Sequence, residues 1–317
     1  MEEVAFSDIV EAAKALEGVI VRTPVVNSAK IDEIAGRKVF MKCENAQHVK
    51  AFKFRGASNA VRVLGEEAEN GLCTHSSGSH GQAVALAAKQ RGVPAYIVMP
   101  NNAPKVKING VISHGAEVIL CEPNLDARIS TANSVLERTG ATFIHPFDNL
   151  SVIAGQGTAA KEMIEDCETL DAILSPIGGG GLMSGTCIST RALLPEARIF
   201  GAEPEGADDA ARSLEAGEYV PQTGPDTICD GLLTSMGEKT WPIIKSHVEE
   251  IVTVSDNAVL EAMSLIHEEF GMIVEPSGAI SLAAVLKKEF RAKEGIGSIG
   301  IILCGGNVDP ENLPFST

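Results

Sequence analysis

Residues 173–185 read ILSPIGGGGLMSG: a short apolar run, a proline, four consecutive glycines, then small and apolar residues. The pattern predicts a buried strand that ends in the glycines and feeds a helix. Four glycines in a row give up much backbone entropy on folding, so something must offset them. Such a turn presents unpaired backbone amides and the positive end of a helix dipole, which suits an anion, phosphate above all. No Gly-Lys-Ser/Thr follows, which excludes a Walker-type loop. Two further readings stay open from the glycines alone. One is a tight turn with close helix-to-strand packing. The other is a nicotinamide dinucleotide site of an oxidoreductase, because Gly179, Gly181 and Gly185 form GxGxxxG, one residue off the fingerprint, and Glu203 follows at about the distance (~20 residues) of a ribose-binding acid.

The rhythm around this stretch extends in both directions. LCTHSS (72–77), AYIVMP (95–100), EVILCEP (117–123) and TFIHP (142–146) alternate with the helix-like runs 81–92, 104–114 and 125–140. RIFGAEP (198–204) and SIGIILCGGN (298–307), the latter preceded by a helix over 278–290, repeat the alternation after the glycines. This is βαβα and predicts an α/β fold of two doubly wound domains with mainly parallel sheets. No linker separates the halves, so the expected division is a large cofactor-binding domain, 1–72 with 148–317, and a small domain, 73–147. Asp8 and Glu11 stand in capping-box positions and predict an outer helix over 8–16.

The 317 residues, 44% apolar and 21% charged, fit a globular enzyme of about two domains. A net charge of −16 with scattered acids argues against nucleic acid or an anionic membrane as partner. Seven cysteines without a CxxC fit reduced thiols in the cytoplasm. The opening MEEVAFSDIV lacks a signal-peptide pattern, and no stretch of 18 apolar residues occurs.

A second element is AFKFRGASNA (51–60), where Lys53 stands between Phe52 and Phe54. An ammonium held against apolar rings loses hydration, its pKa falls, and the free amine can attack an aldehyde to form a Schiff base. Taken alone, the decapeptide reads rather as a surface lysine whose aromatic neighbours face the core.

The ordered set AFKFRGA, THSSGSHGQAVALAAK, VIAGQGT, GGGG, AEPEGADD, VEPSGA and CGGNVD resembles the fold-type II pyridoxal phosphate enzymes, of tryptophan synthase β-like fold, across nearly the whole chain. The likeness is greatest to serine racemases, threonine/serine dehydratases and L-threo-3-hydroxyaspartate dehydratases. The resemblance implies that Lys53 carries pyridoxal 5'-phosphate, that Gly178, Gly179, Gly180 and Gly181 cradle its phosphate where a Cβ would obstruct the oxygens, and that Phe52 packs on the cofactor. It places Gly231, Glu275 and Cys304 around the cofactor ring. Cys304 stands where serine racemases usually have serine, a weak neutral partner for the pyridine nitrogen. Its plain alternative is a small core residue.

By the same resemblance Ser76, Ser77, Gly78, Ser79 and His80 form the loop that takes the substrate carboxylate, with Arg128 and Thr234 as further substrate contacts. Ser77 is the acid/base opposite Lys53, the pair racemisation needs; on sequence alone it reads also as a helix N-cap. Ser79 replaces an asparagine that in most relatives bonds the cofactor hydroxyl, and is expected to act through water or leave that contact unmade. Arg128 could meet a second carboxylate, or be an exposed helix arginine. Glu203, the Ala207 carbonyl and Asp209 match a divalent cation site, Mg²⁺ or Ca²⁺; a solvated acidic loop is the alternative. Cys73, His75 and His80 offer a competing zinc reading, without a fourth ligand. Phe147 stands where mammalian-type serine racemases have an asparagine linked to nucleotide contacts, which leaves ATP activation open. The function implied is racemisation of serine with accompanying dehydration of serine and threonine, in a homodimer. Hydroxyaspartate dehydration is the in-class alternative, and a non-catalytic amino-acid sensor or the oxidoreductase lies outside the class.

Overall fold

Every residue of Ala172–Pro176 and of Ser298–Leu303 is buried, which requires cover on both faces of the sheet and favours parallel pairing. The computed structural model describes residues 3–314 apart from Ser77, Pro104 and Asn312, and leaves the side chain of Val106 aside. Along the chain run α1 (Phe6–Ala15), β1 (Val25–Val26), α2 (Ala29–Ala35), β2 (Lys38–Cys43), α3 (Lys53–Leu64), β3 (Leu72–His75), α4 (Ser79–Arg91), β4 (Ala95–Pro100) and α5 (Lys105–Ser113). Next come β5 (Glu117–Cys121), α6 (Leu125–Thr139), β6 (Thr142–Phe143), α7 (Leu150–Asp166), β7 (Ala172–Pro176), α8 (Gly181–Leu193), β8 (Arg198–Pro204) and α9 (Asp209–Ala216). The chain ends with α10 (Thr240–His247), β9 (Glu250–Val254), α11 (Asp256–Phe270), α12 (Pro276–Leu286), α13 (Lys288–Arg291) and β10 (Ser298–Leu303).

The strands form two sheets, ordered β1-β2-β10-β7-β8-β9 and β5-β4-β3-β6. All neighbours pair parallel except β1 with β2. This is the α/β architecture with mainly parallel sheets that the alternation predicts. The four-stranded sheet is built entirely from residues 72–143, inserted between β2 and β7 of the larger one.

Helix α1 starts two residues before the stretch marked by Asp8. The Asp8 carboxylate accepts the Ala5 N–H at 2.8 Å, so Asp8 belongs to the first turn rather than preceding it. In VIAGQGT, Gly157 lets α7 lie directly on α8: a Cβ on the facing Gly185 would come within 2.5 Å of the Gly157 nitrogen. Beneath α3 lies a charge cluster closed to water. Arg55 bonds Glu44 and Glu162, and Lys42 bonds Glu162 at 2.7 Å and the Thr23 carbonyl at 2.7 Å. The cluster fixes α3 against β2 and α7, and α3 begins at Lys53. All seven cysteines are free thiols. Among the described residues no helix is long and apolar enough to cross a membrane.

Candidate active site

The segments that follow β3, β6, β7 and β10 converge on one cavity of about 640 Å³. Ligands of parallel α/β sheets bind beyond such strand ends. Phe52 and Lys53 line it, with Gly178, Gly179, Gly180 and Gly181 on one wall and Gly231, Glu275 and Cys304 on another. Ser76, Gly78, Ser79 and His80 line it from around the start of α4, and Arg128 and Thr234 line it as well. Ser77 lies outside the described residues. Glu203, Ala207 and Asp209 are not part of this cavity.

Lys53 is the first residue of α3. Its Nζ donates to the Pro146 carbonyl at 2.9 Å and stands 5.0 Å from the centroid of the Phe52 ring. Burial pulls its pKa down from 10.5 to about 8, with Cys304 and Glu275 opposing. Glu275 moves the other way: burial, then the Asp230 charge, pushes its carboxyl up to about 7, against Lys107, the Asn307 N–H and Lys53. The Cys304 thiol is buried, donates to the Ser277 carbonyl at 3.2 Å, and is held well above its ordinary pKa by burial and by Glu275. It is a neutral group in the cavity wall.

The glycine run is a sharp strand-to-helix turn after β7. The first intrahelical bond of α8 is Ser184 N–H to the Gly180 carbonyl, 2.8 Å, so the amides just before Ser184 are left over at the helix start. The Gly179 carbonyl accepts from the Gly237 N–H and the Thr240 hydroxyl. Protein packing by itself already leaves little room for side chains here. A methyl on Gly179 would lie inside the Phe147 ring, and one on Gly181 would come 3.1 Å from Phe147 Cα. A methyl on Gly178 would stand 3.1 Å from the Gly231 carbonyl, and Gly180 has φ of +85° with Thr240 Oγ1 at 2.7 Å from its Cβ position. The turn is packed between Phe147 and the 231–240 segment, which favours glycine at all four positions and most strongly at 179 and 180.

The sequence reading places His80 at the cavity but misses His145, and the structure shows where each ring is held. His145 Nδ1 accepts the Asp148 N–H at 2.9 Å, and burial pulls its pKa to about 4, so the neutral ring carries its proton on Nε2. His80 Nε2 meets the Ile144 carbonyl at 3.2 Å, which leaves its buried Nδ1 without a partner, and burial plus Lys53 hold it well below the ordinary range. Lys107 of α5 reaches across the cavity to Asp230 in an ion pair. Nothing local in sequence marks that pairing. The Ser79 hydroxyl accepts from Asn307 Nδ2 at 2.8 Å.

Both competing readings of the motifs lose their geometry. Among the described residues no group of three or more His, Cys, Asp or Glu side chains could hold a metal ion, which removes zinc at Cys73, His75 and His80. Glu203, the expected ribose acid of a dinucleotide site, turns to cap α9, accepting the N–H groups of Ala210 at 3.1 Å and Ala211 at 2.8 Å. Burial and Asp209 raise its pKa well above the ordinary carboxyl value. Asp209 accepts the Met236 N–H at 3.2 Å through Oδ2, while its buried Oδ1 has no partner.

An aldehyde-bearing phosphate ester fits these residues: an enclosed amine of lowered pKa, spare amides at a helix start, and a neutral thiol opposite. Comparison with known proteins agrees. The sequence profile of the family described as pyridoxal-phosphate dependent enzyme matches residues 16–305. The chain is 49% identical over 316 residues to a serine racemase of Dictyostelium discoideum, covering 99% of this chain and 98% of that one. It is 43% identical to a beta-hydroxyaspartate dehydratase of Paracoccus denitrificans, covering 98% of each. The crystal structure of the Dictyostelium serine racemase superposes with a TM-score of 0.93 over 96% of this chain and 99% of that one, at 48% identity. The structure of maize serine racemase gives 0.96 over 98% and 95%, at 43% identity.

Proposed function

This chain belongs to the pyridoxal-phosphate dependent enzyme family, and on that premise we propose that it racemises serine and, from the same deprotonated carbon, also eliminates the β-hydroxyl of serine or threonine. The observation that carries the reading is the enclosed Lys53 amine, pKa about 8, in a cavity shared with the glycine turn and Cys304. The serine racemases among its relatives support serine as the substrate.

When bound, pyridoxal phosphate supplies an electron sink for negative charge at Cα. The amides left over at the start of α8 would hold its phosphate, with Phe52 against the ring and Cys304 beside it as a neutral thiol. The start of α4, from Ser76 to His80, receives the substrate carboxylate at a helix N-terminus. Lys53 takes the α-proton on one face. Return of a proton to the opposite face from the Ser77 hydroxyl completes inversion. Loss of the β-hydroxyl with a proton, as water, breaks the Cβ–O bond instead, and hydrolysis then gives a keto acid and ammonia. The neutral His145, its proton on Nε2, also lines this cavity. Residues 73–147 act in this reading as a smaller unit that carries the substrate loop, in keeping with the separate sheet they build. A divalent cation at Glu203, the Ala207 carbonyl and Asp209 belongs to the same proposal, supported by the unpartnered buried Asp209 Oδ1.

A second substrate, threo-3-hydroxyaspartate, is favoured by Arg128 and Lys107, two cations lining the cavity that could meet a second carboxylate. The test is incubation of the purified enzyme with L-serine, L-threonine and threo-3-hydroxyaspartate, quantifying D-isomer and keto acid. Serine racemisation is expected, lost in Ser77→Ala while elimination continues; equal loss of both in that variant, or no D-serine from the parent, overturns the reading.

A further inference from the structure

Val49 and Lys50 have φ of +52° and +53°, the two non-glycine residues with positive φ among those described. For a β-branched residue such as Val49 this backbone is strained, and strain of this kind persists only where surrounding contacts enforce it. Three residues separate Val49 from Lys53. The enforcing contacts come from the segment after β10. Phe52 N–H donates to the Cys304 carbonyl at 3.1 Å, and Gly306 N–H donates to the Lys50 carbonyl at 2.9 Å. Asn307 Nδ2 donates to the Val49 carbonyl at 2.8 Å. The same Nδ2 donates its other proton to Ser79 Oγ at 2.8 Å, and the Asn307 backbone N–H serves the Glu275 carboxylate. Ser79 opens α4, which packs with the four-stranded sheet, whereas the 49–52 segment leads into the reacting lysine.

We infer that Asn307 is a positioning residue: its side-chain amide holds the left-handed pair Val49–Lys50 and ties it to Ser79, fixing the Lys53 amine relative to the loop that receives the substrate carboxylate. Asn307 does not line the cavity, so it acts through the lysine segment and not on the substrate. The inference rests on the reading of Lys53 as the reacting amine. Both bonds of the amide use its two protons, so aspartate, alanine or serine at 307 cannot replace it. A displacement of the amine of an ångström is enough to cost a large factor in rate.

The experiment is a cycle of Asn307→Ala, the pair Val49→Gly with Lys50→Gly, and their combination, each made as full-length holoenzyme. Melting temperature, kcat and KM for serine are read for all. Glycine takes φ near +50° without strain, so it supplies conformationally what the asparagine supplies by bonding. Asn307→Ala is expected to lower kcat by about tenfold or more, with KM within about threefold. In the glycine background the same substitution should cost visibly less in both kcat and melting temperature. Hydrogen exchange at the Gly306 and Phe52 amides should speed up in Asn307→Ala and not in Ser79→Ala, which cuts only the second arm and serves as the milder variant if the alanine at 307 fails to fold. A loss confined to KM, or additive losses in both backgrounds, overturns the inference. Should the parent be inactive on serine, the function reading falls, and the melting cycle alone decides the clamp.

Discussion

Arg55 grips Glu44 with two nitrogen–oxygen contacts of 2.7 Å, and both side chains are wholly out of water. The other edge of the guanidinium takes Glu162 at 2.7 and 2.8 Å. Burial pushes Glu162 up, but Arg55 and Lys42 prevail and leave it below the ordinary carboxyl range. Arg55→Met leaves the buried Glu44 without its cation, while Glu162 keeps Lys42, and should cost about 3–5 kcal/mol in urea denaturation. Arg55→Lys keeps the charge without the planar fork and should cost less. Because the Glu162 pKa is depressed in the folded state, the stability it contributes is present above about pH 4.5 and is lost as pH falls through the folded value.

The Lys53 ammonium is a liability to the chain without its cofactor. Its pKa falls from 10.5 to about 8, so the penalty is full below pH 8 and fades as pH rises from 8 towards 10.5. Lys53→Met should therefore raise the melting temperature of the apoprotein by a few degrees at pH 7 and by almost nothing at pH 10.5. The same variant should lose turnover by about a thousandfold or more. Equal melting gains at both pH values would show that the amine carries no such penalty.

Across the cavity, Lys107 lowers the Glu275 pKa and Asp230 raises it. Lys107→Met should raise the Glu275 pKa and Asp230→Asn should lower it, read by titration of that carboxyl. Shifts in one common direction would mean that the pair works by holding the two sides together and not through its charges.

Chelation should lower the melting temperature by a few degrees if Asp209 Oδ1 meets a cation, with Mg²⁺ or Ca²⁺ restoring it. Asp209→Asn keeps an acceptor for Met236 N–H and should melt alike with and without chelator. A parent enzyme indifferent to chelation would remove the cation from the proposal.

Much of the fold is legible in local pattern. Buried runs such as SIGIIL alternate with helices at crossover spacing, and that alone dictates parallel sheets. Lys53 between two phenylalanines and the glycines after β7 gain their meaning only from the ordered set of motifs along the chain, since each taken alone leaves a plain packing reading open. Strand order is not legible in this way, since β10 enters between β2 and β7 from the far end of the chain. Contacts that join distant segments are equally hidden: Lys107 with Asp230, Arg55 with Glu162, Asn307 with Val49. The proton position on His145 depends on amides supplied by the turn that follows it, and the cap Glu203 makes on α9 depends on how β8 turns into that helix. Spacing proposes a carboxylate; only folding shows which N–H groups have already claimed it.

The close fit of Phe147 over Gly179 and Gly181 implies an order of events in divergence. A lineage that carries phenylalanine at 147 cannot accept alanine at 179, whereas one that first acquires a smaller residue at 147 gains room for it. Here, alanine at 179 should be damaging by itself and less so once a smaller residue stands at 147.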